Sequence, residues 1–175
     1  MSTLVLTLIG PDRAGLVELL ADTLAAHGAN WLGSRMSRLA GKFAGILEVE
    51  VSASRAESLR AALDALSERG LRIVTEPSEG SAIAPHRTLG LELVGQDRPG
   101  IVREISHALA EVGVNVEELE TSCSPAPMSG EMLFSAAARV ALPPGVSLEL
   151  LQQRLERIAS DLMVDLEIQD AAPVP

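Results

Sequence analysis

Aromatic side chains are nearly missing from this 175-residue sequence, which has no tyrosine, two phenylalanines and one tryptophan. Its cores must then be assembled from Leu, Val, Ile and Ala, and a hydrophobic content of 47% is enough to exclude disorder over most of the chain. Cysteine is limited to Cys123. One thiol cannot close an internal disulfide, so a reducing compartment is expected. Met1-Ser2-Thr3 passes straight into the short apolar stretch Leu4–Ile9, without the basic start or longer apolar core of a signal peptide. No stretch approaches the roughly 20 apolar residues of a membrane span. A cytoplasmic protein with no membrane partner is the expectation.

Positive charge is also short, with 14 Lys and Arg against 24 Asp and Glu, a net charge of -10. No basic cluster interrupts that balance, which argues against direct nucleic-acid binding. A G-x-x-x-x-G-K-[ST] loop is lacking, as is a G-x-G-x-x-G following a strand, so no nucleotide phosphate cradle is expected. His27, His86 and His107 fall at a helix end, in a linker and within a helix, without a repeated acid or nucleophile beside them. Metal-ligand spacing is likewise missing. The expectation is a protein that is not an enzyme and takes no cofactor and no metal.

What the chain does have is a repeat. Gly10-Pro11-Asp12-Arg13-Ala14-Gly15-Leu16-Val17 returns as Gly95-Gln96-Asp97-Arg98-Pro99-Gly100-Ile101-Val102, and His27-Gly28-Ala29-Asn30 pairs with Val112-Gly113-Val114-Asn115 at the same 85-residue offset. Two homologous modules fill the sequence. The expected division is residues 1–76, a proline-bounded linker at 77–87, residues 88–170 and a tail at 171–175. Domains this small are marginal alone, so association is expected between the halves and between chains as a homodimer.

In the first module the apolar run Leu4–Ile9 reads as a central strand. Leu16, Val17, Leu20, Ala21 and Leu24 then recur at helical spacing up to Gly28. Two strands over 30–39 and 42–51 join at Ala40-Gly41 as a hairpin. Ser54 and Glu57 suggest a capping box for a second helix carrying Leu59, Leu63 and Leu66, and 71–75 closes the module. The second half repeats these roles over 88–94, 101–112, 115–122, 131–140, 148–160 and 163–168. The fold class is α+β: two ferredoxin-like βαββαβ modules, each a four-stranded antiparallel sheet with two helices on one face. One difference stands out: the tight turn at Ala40-Gly41 becomes the longer stretch 123–130, either a surface insertion or a flap over a ligand or partner.

Each Gly-x-Asp-Arg-x-Gly segment leaves a strand and enters a helix, where unpaired N–H groups and the helix dipole favour an anion such as a carboxylate. Gly10, Gly15, Gly95 and Gly100 would let backbone approach a small ligand, and Asp12 or Asp97 would cap the turn or face an ammonium group. Asn30 and Asn115 at the start of the second strand are expected next to that loop, holding both ends of a zwitterion. The bland alternative makes the aspartates plain caps and Arg13 and Arg98 solvated surface. Trp31 is expected to pack between modules or line the ligand cleft, His107 to lie on a helix surface, and Cys123 to be an ordinary loop or strand-end thiol.

At Asp12–Val17 and Asp97–Val102 the sequence resembles the ACT-domain family, and over nearly its whole length the two-module members known as glycine cleavage system transcriptional repressors. That resemblance implies a regulator that senses a small free amino acid, glycine or serine first, and acts through a protein partner such as a separate DNA-binding activator. It carries the ligand loop onto Gly10, Asp12, Arg13, Ala14, Gly15 and Asn30, and onto Gly95, Asp97, Arg98, Pro99, Gly100 and Asn115. Ala14 against Pro99 makes the two sites inequivalent. A ligand-free interaction scaffold, or a regulatory subunit of an amino-acid or one-carbon enzyme, is the alternative.

Overall fold

Alternation in the strands and 3.6-residue spacing in the helices bring one apolar side of each element to a common layer. In the computed structural model, which describes residues 1–78, 86–127 and 130–171, the first module runs β1 (Ser2–Pro11), α1 (Leu16–Ala26), β2 (Asn30–Leu39), β3 (Lys42–Val51), α2 (Ala56–Ala65), a 3-10 turn (Leu66–Arg69) and β4 (Arg72–Pro77). The second runs β5 (Arg87–Gln96), α3 (Ile101–Glu111), β6 (Asn115–Pro125), β7 (Met132–Leu142), α4 (Leu148–Leu162) and β8 (Val164–Asp170). Two compact units result, residues 1–82 and 83–175. Their sheets are ordered β2-β3-β1-β4 and β6-β7-β5-β8, with all neighbours antiparallel. The expected βαββαβ fold is present twice.

Leu4 and Leu6 of β1 stand opposite Val49 and Leu47 of β3 and share one buried cluster with Leu8 and Val51, to which α1 and α2 contribute Leu16, Leu20, Leu24, Leu59 and Leu63. Val17 and Ala21, expected on that apolar stripe, are exposed, because a helix over a sheet buries only a narrow stripe. Trp31 is half-buried and packs against the core of its own module. Both second strands carry a bulge at the same point, between Trp31 and Gly33 and between Val116 and Glu118. In the second module the bulged Glu117 accepts from His86 Nε2 at 2.9 Å. Among the described residues no helix is long and apolar enough to cross a membrane.

Several boundaries move. The capping box fails because α2 starts at Ala56 with Arg55 as its cap; the Ser54 hydroxyl lies 3.3 Å from that of Ser52 instead. The helix cap made by a side chain is Ser147, whose Oγ accepts from the Leu150 N–H at 3.2 Å. β6 continues to Pro125, so Cys123 lies in a strand and the hairpin closes through the Ala126 N–H to Glu131 O bond of 2.7 Å. Residues 128–129 of the expected 123–130 loop lie outside the described residues, as do 79–85 of the linker and 172–175 of the tail. Pro77 belongs to β4 and Arg87 to β5.

Arg87 grips Asp170 with two bonds, Nε to Oδ1 at 2.7 Å and Nη2 to Oδ2 at 2.8 Å. That hydrogen bonding, and then the guanidinium charge, hold the Asp170 carboxyl below the usual carboxylate range. A depressed carboxyl contributes stability above its unfolded pKa and loses it as pH falls through the folded value. An NMR titration is therefore expected to place Asp170 below an ordinary aspartate, and Arg87→Gln to return it upward with a shallower acid-side loss of stability. In the core, Leu63→Ala is expected to cost about 2–5 kcal/mol by denaturant unfolding, since Leu63 is fully buried.

Candidate functional site

In both modules the strand-to-helix loop is held by the same three devices. The first is a left-handed glycine: Gly15 (φ 86°) and Gly100 (φ 99°) are the N-caps of α1 and α3, and neither helix has a side-chain cap. A residue with a Cβ is strained at such φ values. The second device is the arginine. Arg13 Nη2 donates to the carbonyl of Arg69 at 2.8 Å and Arg98 Nη2 to that of Asp161 at 3.2 Å. Each carbonyl lies at the C-terminal end of the module's second helical segment, where a cation meets the negative end of the helix dipole.

The third device is the aspartate, which does not cap the helix as expected but reaches the second strand. Asp12 Oδ2 accepts from Arg38 Nη1 at 3.5 Å, and Asp97 bears on the thiol of Cys123, whose pKa it helps to raise. Arg38 and Cys123 are themselves related by the 85-residue offset. The loop backbone is tied to the facing hairpin as well, by Asp12 N–H to Gly41 O at 2.9 Å and Asp97 N–H to Met132 O at 2.8 Å. Arg13 and Arg98 are thus more than solvated surface: each ties the loop to the end of the second helical segment.

The glycines divide in role. A Cβ on Gly10 would come within 2.8 Å of the Gly70 carbonyl, and one on Gly95 would collide with the Val164 side chain. These two glycines allow the close approach of the central strand to the segment entering the last strand. Gly100 has open space around its Cβ direction and Gly15 only the Glu18 carboxylate at 3.8 Å. The first helical bonds run from Leu19 N–H to Gly15 O and from Glu104 N–H to Gly100 O, both 2.9 Å, so the helix itself does not use the N–H groups ahead of them.

Asn30 and Asn115 lie elsewhere. Register pairs Asn30 with Glu50 and Glu50 with Thr3, whereas the loop follows Pro11. Eight strand steps separate the two levels, about 26 Å at roughly 3.3 Å per residue. The second strand runs parallel to the first because both pair antiparallel with the third, so it begins at the end opposite the loop. Asn115 stands in the same relation to loop 96–100. The expected adjacency of asparagine and loop does not occur within a module.

What does adjoin the first loop is a groove of about 610 Å³ between α1 and α2, reached by Arg13, Ala14 and Gly15 and lined by Glu18, Asp22 and Arg69. Glu18 and Asp22 were not singled out in the sequence, although their spacing on α1 places them one turn apart. Their counterparts in the second module are Arg103 and His107, which pair with Glu104 and Glu111 at 3.8 and 3.5 Å. His107 is on a helix surface, as expected. His27 Nδ1 contacts the Thr23 carbonyl at 2.9 Å. Among the described residues no three His, Cys, Asp or Glu side chains come together as a metal site.

The ACT-domain family model matches residues 2–75, and a second ACT-domain model matches residues 90–159. The chain belongs to the ACT-domain family, a class of regulatory ligand-binding module, and carries two such modules. Among solved structures it is similar to an unknown protein from Galdieria sulphuraria, at 32% identity and TM-score 0.86, over 98% of this chain and 99% of that one. It also resembles a candidate glycine cleavage system transcriptional repressor at 18% identity and TM-score 0.74, over 98% of each chain, a likeness of fold. No curated protein matches it in sequence.

Cys123 reports on the second loop. Desolvation of the thiol, followed by the charge of Asp97 and the hydrogen bond to it, pushes its pKa up although the residue is exposed. Removing that charge lowers the pKa and raises the thiolate fraction. Asp97→Asn is expected to speed alkylation of Cys123 at pH 8, measured by mass spectrometry against the parent protein.

Proposed function

We propose that the protein is a non-enzymatic regulator which binds a small free amino acid, glycine or serine first, at the strand-to-helix loop and passes its occupancy to a protein partner. The observation that carries this is the glycine-capped start of α1, whose first-turn N–H groups the helix leaves unused beside a groove holding Glu18 and Asp22. A zwitterion needs donors for its carboxylate and negative charge for its ammonium; the amides at Gly15 offer the first, and Glu18, one turn on, with Asp22 a turn further, offers the second.

The partner is proposed to be a transcriptional activator, on the fold shared with the glycine cleavage system repressor. The active form is proposed to be a homodimer. Support comes from the uncovered face of the first sheet, where Ile9, Ile46 and Val74 are exposed. A ligand-free scaffold is favoured by a different observation, that Asp12, Arg13, Asp97 and Arg98 all have partners within the fold.

A calorimetric and thermal-shift screen of the twenty amino acids separates the two. Binding of glycine or serine is expected on the order of 10 μM to 1 mM, because so small a ligand buries little apolar surface. The double variant Glu18→Gln, Asp22→Asn is expected to weaken that binding about tenfold, roughly 1.4 kcal/mol. A screen with no response at millimolar concentration would leave the scaffold, and light scattering that gave a monomer at micromolar concentration would remove the homodimer.

A further inference from the structure

Side chains alternate along a strand, so each sheet has one face under its helices and one face open. On the first sheet the register sets the open face in rows. The middle row is Arg35, Ile46, Thr7 and Val74. One row toward the start of β1 stand Glu48, Val5 and Glu76, and one row toward its end stand Ala44, Ile9 and Arg72. Ile9, Ile46 and Val74 are 39%, 50% and 60% exposed. The face therefore has an uncovered apolar centre with carboxylates at one end and a guanidinium at the other.

At the same positions the second sheet is different. Its middle row is Glu120, Ala137, Glu92 and Glu167, and the counterparts of Arg72 and Glu76 are Asp165 and Gln169. Two faces of that kind repel each other.

An interface between identical copies must be self-complementary. A two-fold axis that lies in the interface and crosses the strands sets each strand over its own counterpart, running the opposite way. With the middle row of the first sheet at the centre, that operation brings Ile46 and Val74 against their own copies. It also lays the Glu76 end of β4 against the Arg72 end of the second copy's β4, twice by symmetry. Arg35 meets its counterpart at the solvent rim, on edge strand β2, with Glu48 diagonal to it in its own sheet. Sheets packed face to face keep their strands within about 30° of each other, which leaves these contacts within reach of side chains as long as Glu and Arg. Four strands about 4.8 Å apart and up to ten residues long offer up to about 600 Å² per copy, or about 1,200 Å² in all, the small end of specific interfaces.

We infer that two copies of the chain join through the open face of the first module's sheet, in a two-fold arrangement oriented by ion pairs between Arg72 and Glu76, and that the acidic face of the second module stays outside the contact. This rests on the homodimer proposed above and adds to it the module, the face and the orientation.

The test is sedimentation equilibrium on the full chain and on variants at exposed positions, with circular dichroism to show that each is folded. Ile46→Asp is expected to raise the Kd of the dimer at least about a hundredfold, because it sets two carboxylates into the apolar centre. Ala137→Arg, at the equivalent position of the second module, is expected to leave it unchanged. Arg72→Glu and Glu76→Arg are each expected to weaken the dimer about tenfold, since each opposes like charges. An equimolar mixture of those two single variants is expected to recover the parental Kd as a heterodimer, in which every such contact again joins unlike charges. A parent chain that is monomeric at micromolar concentration overturns the homodimer and the inference together. A parent dimer that Ile46→Asp leaves intact, or that Ala137→Arg weakens, overturns the inference and leaves the homodimer standing. A mixture of the charge variants that is no tighter than either one alone does the same.

Discussion

The arrangement of each module depends on a left-handed glycine that joins the first strand to the first helix without a side-chain cap. An ordinary capping residue would satisfy a first-turn N–H itself. Glycine supplies the turn and leaves those donors unclaimed, while the aspartate and arginine before it are committed to the second strand and the second helical segment. The loop is therefore fixed in place by contacts that do not consume its anion-binding capacity. The motif divides its labour: its side chains position the loop, and its first-turn N–H groups are left without a helical partner.

Duplication has preserved that device and let its surroundings diverge. Beside the first loop, α1 carries Glu18 and Asp22; beside the second, α3 carries Arg103 and His107. That face of the first helix thus carries two carboxylates in one module and an arginine and a histidine in the other. Behind the helices the first module fills its core with Trp31, Met36 and Leu47, where the second keeps a small apolar cavity. Two copies of one fold have thus diverged both in the charge on the first helix and in the packing beneath it.

The fold was legible in the sequence because its signals are local and repeated. Leu4–Ile9 and the Leu16, Leu20, Leu24 stripe each report their own burial, and the 85-residue offset carries the reading from one half to the other. Less was legible where a residue's role depends on a partner far along the chain. Nothing near Arg13 announces that it reaches the Arg69 carbonyl, and nothing near Asp97 points to Cys123. The placement of Asn30 failed for a topological reason: the helix returns the chain to the start of the sheet, so the second strand begins at the end away from the loop. Ser54 failed more simply, since the helix begins at Ala56 and the hydroxyl turns to Ser52.

The central claim is that first-turn backbone amides, freed by a glycine cap, form the amino-acid site. Backbone-amide NMR during a glycine titration tests it most directly. The account predicts that the largest saturable shifts fall on the amides of Gly15, Leu16, Val17 and Glu18, with smaller ones along Asp22 and Arg69. Shifts centred on Asn30 and the opposite end of the sheet, or a spectrum unchanged at millimolar glycine, would contradict it.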